Sequence, residues 1–225
     1  MRGSRLIPSV LLLLALSGCT LLDKSKAGPV NTVVAALPPT KADTWLGIAG
    51  PEDSDRLRRL PMAWSEGLQE ARSGRFSAGI RQEGDLLRPG AALARPAPTP
   101  GSYNCRLVRL GKTDRRSPAF VGFKPFFCYV EVEGDLLTIV KQTGSERPAG
   151  RLWEDDVATR LIFLGSVALG NENQPKAYGE DKSRDMAGVL ERIGPMRWRL
   201  AIPYPRSGAR LDVYELTPVA EQPKG

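Results

Sequence analysis

The sequence predicts a mainly β fold with an N-terminal helical part (α+β). Its centre is an antiparallel sheet of seven or eight strands, shaped as a barrel or a sandwich. Three observations carry this. After Gly101, apolar and polar residues alternate in short runs, as in Tyr103-Asn104-Cys105-Arg106-Leu107 and in Phe126 to Glu133. Those runs are separated by turn residues, with no helical pattern between them of the kind a parallel sheet needs for its crossovers. A helical stripe appears only earlier, over 52–73.

Taken in order, the first element is an export signal. Arg2 and Arg5 precede an apolar run from Leu6 to Leu16, which is shorter than the roughly 20 residues that span a bilayer. The run ends in Leu16-Ser17-Gly18-Cys19, which resembles the lipobox of bacterial lipoproteins. That resemblance implies cleavage after residue 18 and a lipid-bearing Cys19. The same resemblance implies that an aspartate after the cysteine would mark inner-membrane retention, so Thr20 leans the expected location toward the outer membrane, facing the periplasm. Residues 19–44 mix Lys, Gly, Pro, Thr and Ala and read as a flexible tether. The helical segment is expected within 45–100. There Leu57, Leu60, Trp64, Leu68 and Ala71 form one apolar stripe, Asp53 or Ser54 caps the start, and Pro61 kinks or divides the helix. A further helical turn is expected from Gly84 to Leu93, and Arg95 to Gly101 breaks regular structure.

The β domain is expected over 101–218, followed by a disordered tail at 219–225. Gly134-Asp135 reads as a two-residue hairpin turn into a strand at 136–141. Further strands read at 159–166, 187–193, 197–202 and 210–216, with a short one at 150–153. Cys105 and Cys128 both fall on the more apolar phase of their strands. With Cys19 lipidated, they are an even pair in an oxidising compartment, so a Cys105–Cys128 disulfide is expected, with two buried thiols as the alternative.

Composition narrows the chemistry. The chain of 225 residues contains no histidine, which excludes every mechanism that needs an imidazole. Three cysteines cannot form a four-thiolate metal site. The net charge of +7 is spread along the chain without a basic stripe or interleaved aromatics, so no nucleic-acid partner is expected. No Gly-rich phosphate loop, nucleophile elbow or calcium-loop spacing is present, and neither a cofactor nor a metal is expected.

Several segments together carry a family resemblance. They are Arg56-Leu57 with Ala63-Trp64, Pro100 to Arg106, and Gly144-Ser145-Glu146-Arg147-Pro148. Tyr178-Gly179-Glu180-Asp181 with Arg184 to Gly188 adds to these, as does Glu191 to Leu200. The chain resembles an uncharacterised family of alphaproteobacterial exported proteins, domain of unknown function 4893, from about Ala42 to Pro218. The resemblance implies export and no particular activity.

The densest polar cluster is Tyr178, Asp181, Arg184 and Asp185, with Arg147 in a turn expected beside it. These residues either receive an anionic group through charge-assisted bonds or tie loops to the sheet. Three functions stand open. The first is a non-enzymatic, lipid-anchored envelope binding module whose partner is a protein or a small ligand. The second is a small barrel carrying an apolar ligand, and the third a hydrolase using paired carboxylates.

Overall fold

A computed structural model describes residues 39–170, 172 and 174–220. The signal segment, Cys19, all of the tether before residue 39 and residues 221–225 lie outside the described part. Among the described residues helices come first: α1 (Lys41–Leu46), α2 (Pro51–Arg58), α3 (Leu60–Ser73) and α4 (Ser77–Glu83), then a 3₁₀ turn at Gly84–Leu87. Nine strands follow among these residues: β1 (Gly101–Leu110), β2 (Phe120–Gly122), β3 (Phe126–Glu133), β4 (Leu136–Lys141), β5 (Glu146–Glu154), β6 (Arg160–Leu169), β7 (Asp185–Gly194), β8 (Arg197–Pro203) and β9 (Leu211–Pro218).

Every strand pairs antiparallel with its neighbours, and β9 returns to pair with β1 from Tyr103↔Pro218 to Leu110↔Leu211. The sheet therefore closes into an eight-stranded up-and-down barrel, leaving no long unpaired edge. The short β2 is extra. It pairs with β1 at residues 108–110, on the same edge that β3 occupies at 101–105. Phe123 N donates to Leu107 O (2.8 Å) in the gap between them. Pro125, which has no N–H to give, stands in the chain between β2 and β3, where pairing along this edge of β1 is interrupted.

Alternation along each strand sorts side chains into two cores. Tyr103, Cys105, Phe163, Leu190, Trp198, Leu200 and Leu216 fill the barrel. Val108, Leu110, Ile162, Val189, Ala201 and Val213 point outward instead, under the helices. From α3 they receive Ala63, Trp64, Leu68 and Ala71, the stripe expected from sequence. Each large apolar side chain so buried stabilises the fold by roughly 1.5–3 kcal/mol. Gly150 and Gly165 face each other across β5 and β6; a Cβ on Gly165 would lie 2.2 Å from Ala149 O and 2.8 Å from the Phe163 ring. Only glycine lets the backbones and that ring approach so closely.

Cys105 and Cys128 are joined by a disulfide, with Cα atoms 6.0 Å apart, between β1 and β3. On the chain-entropy account, closing a loop of this size stabilises by about 3 kcal/mol.

Arg199 locks the helical layer to the barrel. It is 1% exposed and projects outward from β8. Its guanidinium meets Glu191 at 2.7 Å and donates to the carbonyls of Asp85 (3.1 Å), Leu86 (3.2 Å) and Arg88 (2.8 Å). It also lies 4.8 Å from the centre of the Trp64 ring.

Four local expectations are corrected. Asp53 and Ser54 do not cap the second helix. Gly50 holds that position with Pro51 behind it, and Asp53 turns inward. The helix-like stretch after Gly84 ends at Leu87, while α4 precedes it; Leu93 instead bridges to Arg192. Helix begins at Lys41, inside the expected tether, because Thr40 and Asp43 form a capping box there. Finally, the strand expected at 150–153 is β5, beginning at Glu146, so Arg147 lies on a strand and not in a turn. Pro61 does divide the helix: it sits in the first turn of α3, where its missing N–H costs nothing.

Candidate functional site

One end of the barrel gathers the C-terminal ends of β1, β4, β6 and β8 with the starts of β5, β7 and β9. All five residues of the expected cluster are at this end. Arg147 donates to the carbonyls of Gly144 (2.9 Å), Gly170 (2.7 Å) and Glu172. Arg184 pairs with the Glu172 carboxylate (2.5 Å) and reaches Asp181 at 3.5 Å. Both arginines thus converge on Glu172, whose carboxyl the Arg184 guanidinium holds below the usual carboxylate range. Asp181 accepts from Ser183 Oγ (2.6 Å), Ser183 N (3.1 Å) and Lys176 (3.3 Å). Tyr178 Oη donates to Asp53 (2.5 Å) and accepts from Gly50 N (2.9 Å), fixing the start of α2 to the β6–β7 loop. Burial and the adjacent Asp53 carboxylate both raise the Tyr178 phenol above its ordinary value.

Asp185 differs from the other four. It is buried, accepts one bond from Gly179 N (3.0 Å), and lines a cleft. Burial pushes its carboxyl up against the opposing pull of that N–H.

The cleft itself is the mouth of the barrel. A cavity of about 160 Å³ lies among Arg109 of β1, Asp212 and Tyr214 of β9, Glu146 of β5 and Asp185 of β7. It continues past Arg56, Asp185 and Arg206 into an open groove of about 680 Å³ along α2. Below, past Tyr214 and Pro148, the barrel is filled down to an apolar void of about 20 Å³ beside the disulfide. That is room for about one water-sized sphere.

The floor of the mouth is an ion pair. Arg109 and Asp212 are direct partners in the β1–β9 register. Arg109 Nε and Nη2 donate to the two Asp212 oxygens, each at 2.7 Å. Burial pushes the Asp212 carboxyl up and Arg109 pulls it back, while the pairing raises the guanidinium. A bidentate pair of this kind holds its geometry better than two point charges do. Burial also raises the neighbouring Tyr214 phenol, keeping it a neutral donor. Lys141 stands over the Phe126 ring at 4.4 Å, and burial lowers its ammonium.

One rim of the mouth is the loop after β8. It opens at Tyr204, whose φ of 46° is rare for a residue with a side chain. Tyr204 N donates to Arg210 O (2.9 Å), its hydroxyl meets Glu66 (3.3 Å), and Arg59 lies 4.5 Å over its ring. The surrounding contacts thus impose a conformation that costs on the order of 1–3 kcal/mol, and the loop carries Arg206 to the mouth.

Sequence reasoning missed Arg109, Asp212, Tyr214 and Glu146. A signal for the first three was present. Arg109 follows Tyr103, Cys105 and Leu107 in the inward phase, and Asp212 precedes Tyr214 and Leu216 in the same phase. A charge in an otherwise apolar phase marks a barrel end or a site. Among the described residues no group of three His, Cys, Asp or Glu side chains is placed to hold a metal. No described helix is long and apolar enough to cross a membrane.

Fold and site together define a class: a small closed antiparallel barrel with a helical cover on one side and a polar mouth at one end. The chain belongs to the family described as Domain of unknown function (DUF4893), whose model matches residues 45–216. No curated protein and no solved structure matches it.

Proposed function

We propose that this protein is a non-enzymatic, lipid-anchored component of the cell envelope that acts as a binding module, with the barrel mouth as its binding face. The observation that carries the binding role is the contrast between a filled barrel and an open, polar mouth of about 160 Å³. Small-molecule sites are concave, with a few placed polar groups, and this end of the barrel offers them on strands, which hold position better than loops. A carrier of an apolar ligand finds less support, since the inner void of about 20 Å³ is too small for one. A carboxylate hydrolase is the second reading, favoured by Glu146 and Asp185, which line the mouth cavity without a described cation partner. Asp53 and Asp212 do not serve it, each being held by an arginine, Arg56 and Arg109. The anchor rests on the Leu16–Cys19 motif, and the outer membrane on Thr20.

Two measurements test this. Mass spectrometry of membrane-fraction protein should find an acylated Cys19 as the new N-terminus, and Cys19→Ser protein should leave the membrane. For the binding role, the ¹⁵N-labelled full chain is titrated with a library of small polar compounds. Resonance shifts should gather at Arg109, Glu146, Asp185, Arg206 and Tyr214. Shifts gathered elsewhere, or a compound turned over to product, would refute the reading.

A further inference from the structure

The free polar groups of the mouth have two signs, set apart on different walls. On the β1–β9 wall, Asp212 occupies Nε and one hydrogen of Nη2 of Arg109. The remaining hydrogens, both on Nη1 and the second on Nη2, find no acceptor among the described residues. Tyr214 lines the same cavity, and its hydroxyl has no partner among those residues either. The guanidinium can only donate and the phenol can donate as well, and a guanidinium edge offers the paired geometry that a carboxylate fits. Arg206, exposed on the β8–β9 loop at the rim, pairs with no described carboxylate.

The opposite wall carries acceptors. Glu146 begins β5, four strands from β9 around the barrel, and lines the cavity with no cation in ion-pair reach among the described residues. Asp185, where the cavity opens into the groove, has one oxygen taken by Gly179 N and the other without a described donor. The two walls therefore ask for different things. A simple anion would satisfy Arg109 and Tyr214 but face Glu146 across a small cavity. A simple cation would satisfy Glu146 but face Arg109. A molecule with both charges satisfies both walls at once.

Resting on the reading of the mouth as a binding face, we propose that its ligand is a small zwitterion, of the amino-acid or short-peptide class. Its carboxylate sits on the free edge of Arg109 and the Tyr214 hydroxyl, and its ammonium on Glu146, with Asp185 toward the groove. The volume fits a compact ligand. The closed apolar depth below Tyr214 leaves no room for a long side chain at the carboxylate end, so any extension runs outward along the groove past Arg206.

The experiment is isothermal titration of the full chain with four probes: glycylglycine, acetate, ethylammonium and inorganic phosphate. Glycylglycine should bind at least about tenfold tighter than acetate or ethylammonium, since each end adds a charge-assisted contact. Glu146→Gln should weaken glycylglycine by about tenfold and leave acetate unchanged. Tyr214→Phe, which keeps the ring in the barrel, should weaken both. Unchanged melting curves would show that the variants fold. Phosphate or acetate binding as tightly as the dipeptide would overturn the zwitterion and make this an anion site, with the binding face intact. No binding of any probe would likewise overturn this ligand class. The non-enzymatic binding-face reading itself falls if the wider titration shifts residues away from the mouth or a compound is turned over to product.

Discussion

Replacing Arg199 with methionine tests how the helical layer is held on the barrel. The guanidinium is 1% exposed, and its loss removes donors from three carbonyls of the 84–88 turn together with the ion pair to Glu191. The Asp85 and Arg88 carbonyls are only partly buried and can turn to water, while that of Leu86 is buried and loses its donor. Glu191 fares worse, because its side chain is only 16% exposed and its cation is gone. Breaking a buried pair by removing one partner costs about 3–5 kcal/mol. For a domain of this size each kcal/mol lowers Tm by roughly 2–4 °C, so Arg199→Met should melt roughly 10 °C earlier. Removing the stranded charge as well, in Arg199→Met with Glu191→Leu, should restore at least half of the loss, since a buried pair replaced by apolar groups is often nearly neutral. Urea unfolding followed by circular dichroism gives the free energies. Tryptophan fluorescence follows the same unfolding through the chain's four tryptophans, among them Trp64, which lies beneath the guanidinium. A loss below about 1 kcal/mol, or a double variant no more stable than the single one, would refute the reasoning.

Two further outcomes are expected. Arg147→Ala with Arg184→Ala should lower the melting temperature while leaving titrations at the barrel mouth unchanged, because these arginines spend their donors on Gly144, Gly170, Glu172 and Asp181; a lost ligand with an unchanged melting temperature would show instead that they bind it. Asp155 takes bonds from Trp45 Nε1 (2.9 Å) and Arg160 Nε (2.6 Å), and although burial raises its carboxyl, these donors outweigh burial and hold it below the ordinary value. A depressed carboxyl contributes stability that is present above its unfolded pKa and lost as pH falls through its folded one. Asp155→Asn should therefore cost about 2 kcal/mol at pH 7, and the gap to the parent should close below about pH 4; a gap that persists in acid would show that the charge is not what matters.

The sequence by itself determined the local elements of this protein, wherever they rest on period and punctuation. The strand at Leu136–Lys141 falls where alternation and Gly134-Asp135 place it. The stripe through Trp64 and Leu68 is buried because a period of 3.6 puts those residues on one face of α3. Cys105 and Cys128 were legible as partners from their inward phase. Where local signals conflict, the reading stopped short: Pro148 and Gly150 interrupt the alternation of β5, so its first half, with Glu146 and Arg147, read as a turn. Tertiary structure alone decided the rest. Arg199 looks like an ordinary outward charge between Trp198 and Leu200, and it is buried only because helices some 110 residues earlier cover that face. Arg109 and Asp212 lie 103 residues apart and meet only because β9 closes onto β1 in the register that sets them side by side. Which residues a closing barrel brings together depends on the shear between its first and last strands, a non-local quantity that no window of sequence contains. The mouth is made by that closure.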